Sequence, residues 1–308
     1  MSVVKAGHCV LLYDNERFTI SKHLGSGSYG NVWLARSNEK RKNVAIKFCV
    51  NGCGFDVSAN GRYEIEVMRQ IASRVGKHDH IVKMKGYSLE ANPTWIALEY
   101  LPYGLSHFFR RQHTIGDVLR IVFDVASALA SLHEVGISHN DLRPCNVMFT
   151  RSFCTRLIDF GTCSVEGLEM NDGLEEDKVN WATNKENIFK SAWLPPEWRN
   201  MTKEEMDRNG KVGDVYNLGV FLYRMLEWFC KKENHYEYNM MDTDWRGWLE
   251  GNTIPWPSRV LRRDVTDLIE DSVCHWEKRL RHAGMFLARL SSIVSKWKLI
   301  PSGKVGLA

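Results

Sequence analysis

The chain has 308 residues, enough to bury a substantial core without disulfides, and the usual domain size of about 100–200 residues allows one large or two small units. Its 44% hydrophobic and 25% charged residues are ordinary for a globular protein, and a formal net charge of +4 is too mild to imply a nucleic-acid partner. Eight cysteines without paired short spacings read as free thiols in a reducing compartment, and no run approaches the roughly 18 apolar residues of a membrane span.

Residues 1–17 read as a short leader. Met1-Ser2-Val3-Val4-Lys5 opens no signal-peptide core, and Ser2 stands where myristoylation requires glycine. Phe18–Tyr100 then reads as strand, hairpin, strand, loop, helix and two strands. Inside it, Gly25-Ser26-Gly27-Ser28-Tyr29-Gly30 is a weak signal alone, because GxGxxG also opens dinucleotide-binding folds. The residues after Gly30 decide between them: Asn31-Val32-Trp33-Leu34-Ala35-Arg36 is strand-forming and carries no N-cap, so the glycines join two strands and open no helix. Such a hairpin lets backbone amides approach phosphate oxygens that a Cβ would keep away. Val44-Ala45-Ile46-Lys47 is next, an apolar strand delivering one ammonium.

A helix is predicted near Tyr63–Val75, with Ile65, Met68, Ile71 and Ala72 as its apolar stripe and Glu64 and Glu66 on different faces. Cys49 and Cys53 with His78 and His80 could be forced into a zinc pattern, but Cys49 falls on the strand beside Lys47, so free thiols are the better reading. From Ile115 to Gly136, Val118, Ile121, Val122, Val125, Ala128, Leu129 and Leu132 mark a long amphipathic helix.

His139-Asn140-Asp141-Leu142-Arg143-Pro144-Cys145-Asn146 comes next, with Asp159-Phe160-Gly161 downstream. A carboxylate that accepts a proton from an attacking hydroxyl, and an amide and second carboxylate that offer hard oxygen ligands to Mg²⁺, are the chemistry of phosphoryl transfer. The stretch Glu166, Glu169, Asp172, Glu175, Glu176, Asp177, without tyrosine, is read as a solvated acidic loop, the alternative being that it stands in for phosphate or repels acidic substrates, and Arg259, Arg262 and Arg263 are read as a solvated face.

These motifs, in this order, resemble the protein kinase superfamily from about Phe18 to Leu290. The resemblance implies an α+β, two-lobed fold, with a small antiparallel-sheet N-lobe plus one helix and a larger, mainly helical C-lobe. The implied boundaries are a leader at 1–17, a kinase domain at 18–294 (N-lobe 18–98, hinge 99–104, C-lobe 105–294) and a tail at 295–308. ATP would sit between the lobes, its phosphates under Gly25, Ser26, Gly27, Ser28, Tyr29 and Gly30. Val32, Ala45 and Met148 would sandwich the adenine, and backbone groups of Glu99 and Leu101 would meet it beside Leu98 as gatekeeper. Lys47 would hold the α and β phosphates, paired with Glu64 or its rival Glu66. Asn146 and Asp159 would carry two Mg²⁺ ions, Asp141 would orient the acceptor hydroxyl, and Arg143 would neutralise the transferring phosphate. Asp214 would brace the catalytic loop, and Glu197 of Leu194-Pro195-Pro196-Glu197 would pair with Arg279 or Arg281.

Several residues depart from the family's pattern. Arg143 replaces the lysine usual in serine/threonine kinases, and Trp193 resembles tyrosine kinases and their serine/threonine relatives. Lys190 and Ser191 stand where Gly-Thr is usual, so serine/threonine is favoured over tyrosine only on the superfamily's base rate. Asn140 replaces the arginine that pairs with a phosphorylated activation loop, which implies activity without that phosphorylation. With Cys145 and Leu105 in place of acidic residues, a strong preference for basic residues before the acceptor is not expected. The alternative function is a pseudokinase that binds nucleotide as a scaffold; a small-molecule kinase fits less well, since its relatives lack the Pro-Pro-Glu segment. A cytoplasmic protein is expected, with nuclear entry open, acting on a protein substrate with ATP and without nucleic acid or direct membrane association. The oligomeric state stays open.

Overall fold

The computed structural model describes residues 5–11, 16–27, 30–37, 39, 42–50, 58–168, 193–231, 244–251 and 254–299. The chain divides into two compact units, one of Met1–Lys77, Ile81–Pro102 and Ile158–Gly161, the other of His78–His80, Tyr103–Leu157 and Thr162–Ala308.

The first unit is built on a six-stranded antiparallel sheet in the order β1-β2-β3-β4-β6-β5. Its strands are β1 (Cys9–Leu11), β2 (Arg17–Gly27), β3 (Gly30–Ser37), β4 (Asn43–Phe48), β5 (Met84–Ser88) and β6 (Trp95–Glu99). The leader supplies β1, which pairs Cys9, Val10 and Leu11 with Thr19, Phe18 and Arg17.

Because strand side chains alternate between faces, the register sorts the residues into two sets. Trp33 pairs with Ile46 and Ala35 with Val44, and these join Phe18, Ile20, Phe48, Trp95 and Ala97 in one apolar cluster. The opposite face carries Val32 beside Lys47, Leu34 beside Ala45, and Leu98 beside Ala45. Val32, Ala45, Lys47 and Leu98 are only half-buried there. Alternation therefore places the ammonium and a patch of partly open apolar surface on the same side of the sheet.

Helix α1 (Ser58–Arg74) begins five residues before the predicted start at Tyr63. Its first turn has no large apolar side chain, and it includes Gly61, which a helix disfavours by about 1 kcal/mol relative to alanine. The glycine is required by packing, since a Cβ there would lie 2.3 Å from the Cys49 sulfur.

The second unit is mainly helical. It opens with β7 (Tyr103–Gly104), α2 (Leu105–Phe109) and α3 (Ile115–Glu134). A capping box starts α3, with the Thr114 side chain accepting from Asp117 N and the Asp117 carboxylate accepting from Thr114 N at 2.8 Å. Short strands β8 (Ile137–Ser138), β9 (Val147–Phe149), β10 (Thr155–Leu157) and β11 (Ser164–Val165) come next, paired as β10-β9-β7 and β11-β8. After them come α4 (Lys203–Arg208), α5 (Gly210–Lys231), α6 (Trp245–Glu250), α7 (Arg259–Val273) and α8 (Ala283–Lys296). Buried residues surround α5, from Val215 and Leu218 to Phe221 and Met225, as expected of a helix enclosed by α3, α7 and α8. Among the described residues no helix is long and apolar enough to cross a membrane.

Candidate active site

In the first unit, β4 presents Lys47 between two carboxylates. Its Nζ lies 2.8 Å from Glu64 Oε2 on α1 and 3.0 Å from Asp159 Oδ1. Glu64 is 3% exposed, so this charge is held in a nearly dry setting. Burial opposes the ammonium, but Glu64 and Asp159 outweigh it, and the lysine pKa is raised above its usual value. Lys47 is therefore a permanent cation.

Glu66 faces elsewhere, accepting from Arg69 Nη1 and Gln70 Nε2, each at 2.7 Å. Two residues apart on a helix means about 200° of rotation, so only one of the two glutamates can reach Lys47. Asp159 sits at φ +65, and its side chain is 36% exposed, so the carboxylate remains accessible beyond its contact with Lys47.

The glycines of the β2–β3 hairpin differ in what the fold asks of them. A Cβ on Gly30 would stand 2.3 Å from Phe48 O, a backbone clash that excludes any side chain. Gly25 and Gly27 meet nothing within 4 Å, so packing does not explain their lack of side chains. Ser26 Oγ is 3.2 Å from His23 Nε2, and Ser28 and Tyr29 lie outside the described residues. At the end of β6 the Glu99 N–H donates to Lys83 O at 2.9 Å, and Leu101 just beyond it is buried.

In the second unit, the loop around Asp141 is built on Asp214 of α5. The Asp214 carboxylate, 0% exposed, accepts from His139 N at 2.7 Å, Asn140 N at 2.8 Å and His133 Nε2 at 2.8 Å. His133 Nδ1 accepts from Ala283 N at 2.9 Å, so the imidazole must donate from Nε2. Three N–H groups thus converge on one buried carboxylate and hold the backbone just before Asp141.

Asp141 Oδ2 in turn accepts from Asn146 Nδ2 at 2.8 Å and lies 3.2 Å from Arg143 Nε. Asn146 Nδ2 also donates to Asp141 O at 2.8 Å, which fixes its amide and leaves its oxygen with only the Cys145 thiol, 3.8 Å away, among the described contacts. That oxygen and the Asp159 carboxylate are hard donors of the kind Mg²⁺ takes, so both residues fit the metal role the resemblance implies. Met148, on β9, is half-buried.

Asn140 adopts φ +63, a left-handed conformation that asparagine tolerates better than most residues. Its Nδ2 donates to Thr162 O at 3.2 Å and Ser164 Oγ at 3.1 Å, tying the loop to the start of the segment that comes after Gly161. Pairing of β11 with β8 and a 2.7 Å contact between Lys211 and Glu166 hold the same stretch. Lys190, Ser191 and the acidic residues from Glu169 to Asp177 lie outside the described residues.

Arg279, 3% exposed, reaches Glu197 Oε1 with Nη1 at 2.6 Å and lies 4.9 Å from the Tyr216 ring centroid. Arg281 bonds instead to Trp276 O and Glu277 O. Trp193 is buried, and Trp198 packs so closely on Gly213 that a Cβ there would lie 2.2 Å from its ring.

Residues 18–287 match the Protein kinase domain family. The chain belongs to the protein kinase family. Serine/threonine-protein kinase ULK3 of Xenopus laevis is 36% identical over 154 residues, covering 47% of this chain and 32% of the relative. Serine/threonine-protein kinase SRK2A of Physcomitrium patens is 29% identical over 223 residues, covering 70% and 56%, and Mitogen-activated protein kinase 15 of Caenorhabditis elegans is 26% identical over 226, covering 69% and 44%. The chain thus spans from about a third to just over half the length of these relatives.

Against this family membership, sequence reasoning missed His133, Thr162, Ser164 and the Lys211–Glu166 pair. His133 read as one polar residue at the end of an apolar stripe, and its partner lies 81 residues away.

Proposed function

We propose that this protein kinase chain is catalytically active, transferring the γ-phosphate of ATP to a protein hydroxyl, with serine or threonine favoured over tyrosine, and that it needs no phosphorylation of the segment after Gly161. The observation that carries the reading is Lys47, a permanently charged ammonium held between Glu64 and Asp159 on a half-open face of the sheet. Two carboxylates keep the ammonium charged and fixed in place, and a phosphate ligand can use that charge directly.

In the proposed step the acceptor oxygen attacks the γ-phosphorus, the bond to the β-bridging oxygen breaks, ADP leaves, and the acceptor's proton passes to the Asp141 carboxylate. Lys47 binds phosphate oxygens, the backbone of Gly25 and Gly27 approaches them, and Val32, Ala45 and Leu98 offer apolar surface to the base. Asn146 and Asp159 are the residues that would hold Mg²⁺, which when bound neutralises charge on the phosphates. The acceptor preference leans on the serine/threonine kinases among the relatives. Independence from phosphorylation leans on Asn140, whose amide already ties down the segment that a phosphate and an arginine would otherwise order.

The test is transfer of radiolabelled phosphate from Mg²⁺-ATP to the protein and to mixed protein substrates, with Asp159→Asn as control, before and after phosphatase treatment. The expected result is newly formed phosphoserine or phosphothreonine that vanishes in the control and is formed as fast by kinase pretreated with phosphatase, the phosphatase having been removed before ATP is added. ATP-dependent thermal stabilisation without any transfer would replace this reading with that of a nucleotide-binding scaffold.

A further inference from the structure

The turn between β9 and β10 places a bulky residue where the backbone does not want one. Phe153 N donates to Thr150 O and Thr150 N donates to Cys154 O, both at 3.0 Å, and Phe153 sits at φ +55. Glycine or asparagine is the usual occupant of a left-handed position closing a short hairpin, and other residues there cost about 1–3 kcal/mol. The Phe153 ring stacks on Tyr103 of β7, centroids 4.9 Å apart and planes 7° apart, and the Arg111 guanidinium carbon lies 4.6 Å from its centroid. An aromatic pair contributes about 0.5–1.5 kcal/mol and an exposed cation–π contact about 0.5–1 kcal/mol. With the Phe149 ring 6.1 Å away and tilted by 40°, these contacts are of the same size as the strain, so glycine or asparagine would serve the turn about as well. Strain retained at a surface site points to recognition.

Charge indicates what is recognised. Arg111, its chain neighbour Arg110 and, two residues before Phe153, Arg151 are exposed, Tyr103 and Phe153 are half-buried, and residues 103–114 and 150–155 contain no Asp or Glu. No ion pair among the described residues uses any of these three arginines. We propose that Tyr103, Phe153 and Arg111, flanked by Arg110 and Arg151, form a docking surface for an acidic, extended segment of a protein partner. Carboxylates meet the guanidinium forks, and an apolar or aromatic side chain of the segment lies against the rings. A nucleic-acid strand fits less well: it would need a track of exposed stacking rings along a long cationic groove, and here Tyr103, His107 and Phe153 form one small cluster, with Phe149 buried beneath, on a chain of net charge +4. The inference does not depend on phosphate transfer.

The test uses the full chain and a fluorescein-labelled decapeptide of alternating Glu and Tyr, monitored by fluorescence polarisation, with a Lys/Tyr decapeptide and a dT decamer as comparison probes. The acidic peptide is expected to bind at least tenfold tighter than either. Phe153→Asn and Arg111→Glu should each weaken it at least tenfold, Phe153→Asn with a thermal midpoint within about 3 °C of the parent. Arg263→Glu, on the exposed face of α7, should change it less than twofold. Unchanged binding in both site variants, equal weakening by Arg263→Glu, or tighter binding of the dT decamer would each overturn the proposal.

Discussion

Asp214→Asn is the sharpest probe of how the Asp141 loop is held. The native carboxylate receives two N–H groups on Oδ2 and one on Oδ1, and His133 cannot reverse its role because Ala283 N occupies its other nitrogen. An asparagine amide has one oxygen, so either orientation turns its NH₂ toward at least one N–H. The milder orientation loses the bond to Asn140 N, a charge-assisted bond that contributes about 1.5–3 kcal/mol, and leaves a buried donor unsatisfied at about 1–3 kcal/mol. The expected loss is about 3–5 kcal/mol, large against a total of about 5–15 kcal/mol, so the variant folds but with little reserve. Equilibrium urea denaturation monitored by circular dichroism measures it. A phosphate-transfer rate reduced at least tenfold should accompany it, since the same N–H groups position Asp141. A stability loss below about 1 kcal/mol would refute the argument, because three N–H bonds to a fully buried carboxylate could not then matter.

Three further outcomes are expected from the geometry. Glu64→Gln should cut phosphate transfer on the order of 10²-fold by loosening Lys47, whereas Glu66→Gln should leave it near the parent rate in the same assay. Gly30→Ala should destabilise by about 1–3 kcal/mol against Phe48 O, while Gly25→Ala and Gly27→Ala should keep stability within about 0.5 kcal/mol yet reduce the thermal shift produced by Mg²⁺-ATP. Burial, then the neighbouring His80, pushes the His78 imidazole below its usual pKa of 6.5, so below that pH the unfolded chain binds the extra proton first. Its contribution is present above pH 6.5 and lost as pH falls through the lower folded value; urea midpoints at pH 7.5 and 5.5 should therefore fall more for the parent than for His78→Gln.

Much of the fold and the site was legible because its signals are local. The alternation in β4, which places Lys47 opposite the apolar cluster, and the stripe of α3 are both written in neighbouring residues. The choice between Glu64 and Glu66 was not legible, since both lie on one helix and only its rotation toward β4 decides. The same holds for Arg279 and Arg281, two residues apart, of which only the first turns inward to Glu197. The leader strand escaped notice because three paired residues are too few to show a period of two. The partners of Asn140 and His133 escaped for a different reason: hydrogen bonds across 22, 24 and 81 residues leave no trace in spacing.

The Asn140 amide also sets how the loop responds to salt. A phosphate gripped by a guanidinium is an attraction between full charges, and dissolved salt screens it over about 8 Å at physiological ionic strength. The bonds from Asn140 to Thr162 O and Ser164 Oγ join neutral dipoles at contact distance, where mobile ions have no charge to screen. Of the contacts that hold the start of the segment after Gly161, added salt therefore weakens the partly exposed Lys211–Glu166 pair and leaves the Asn140 bonds as they are.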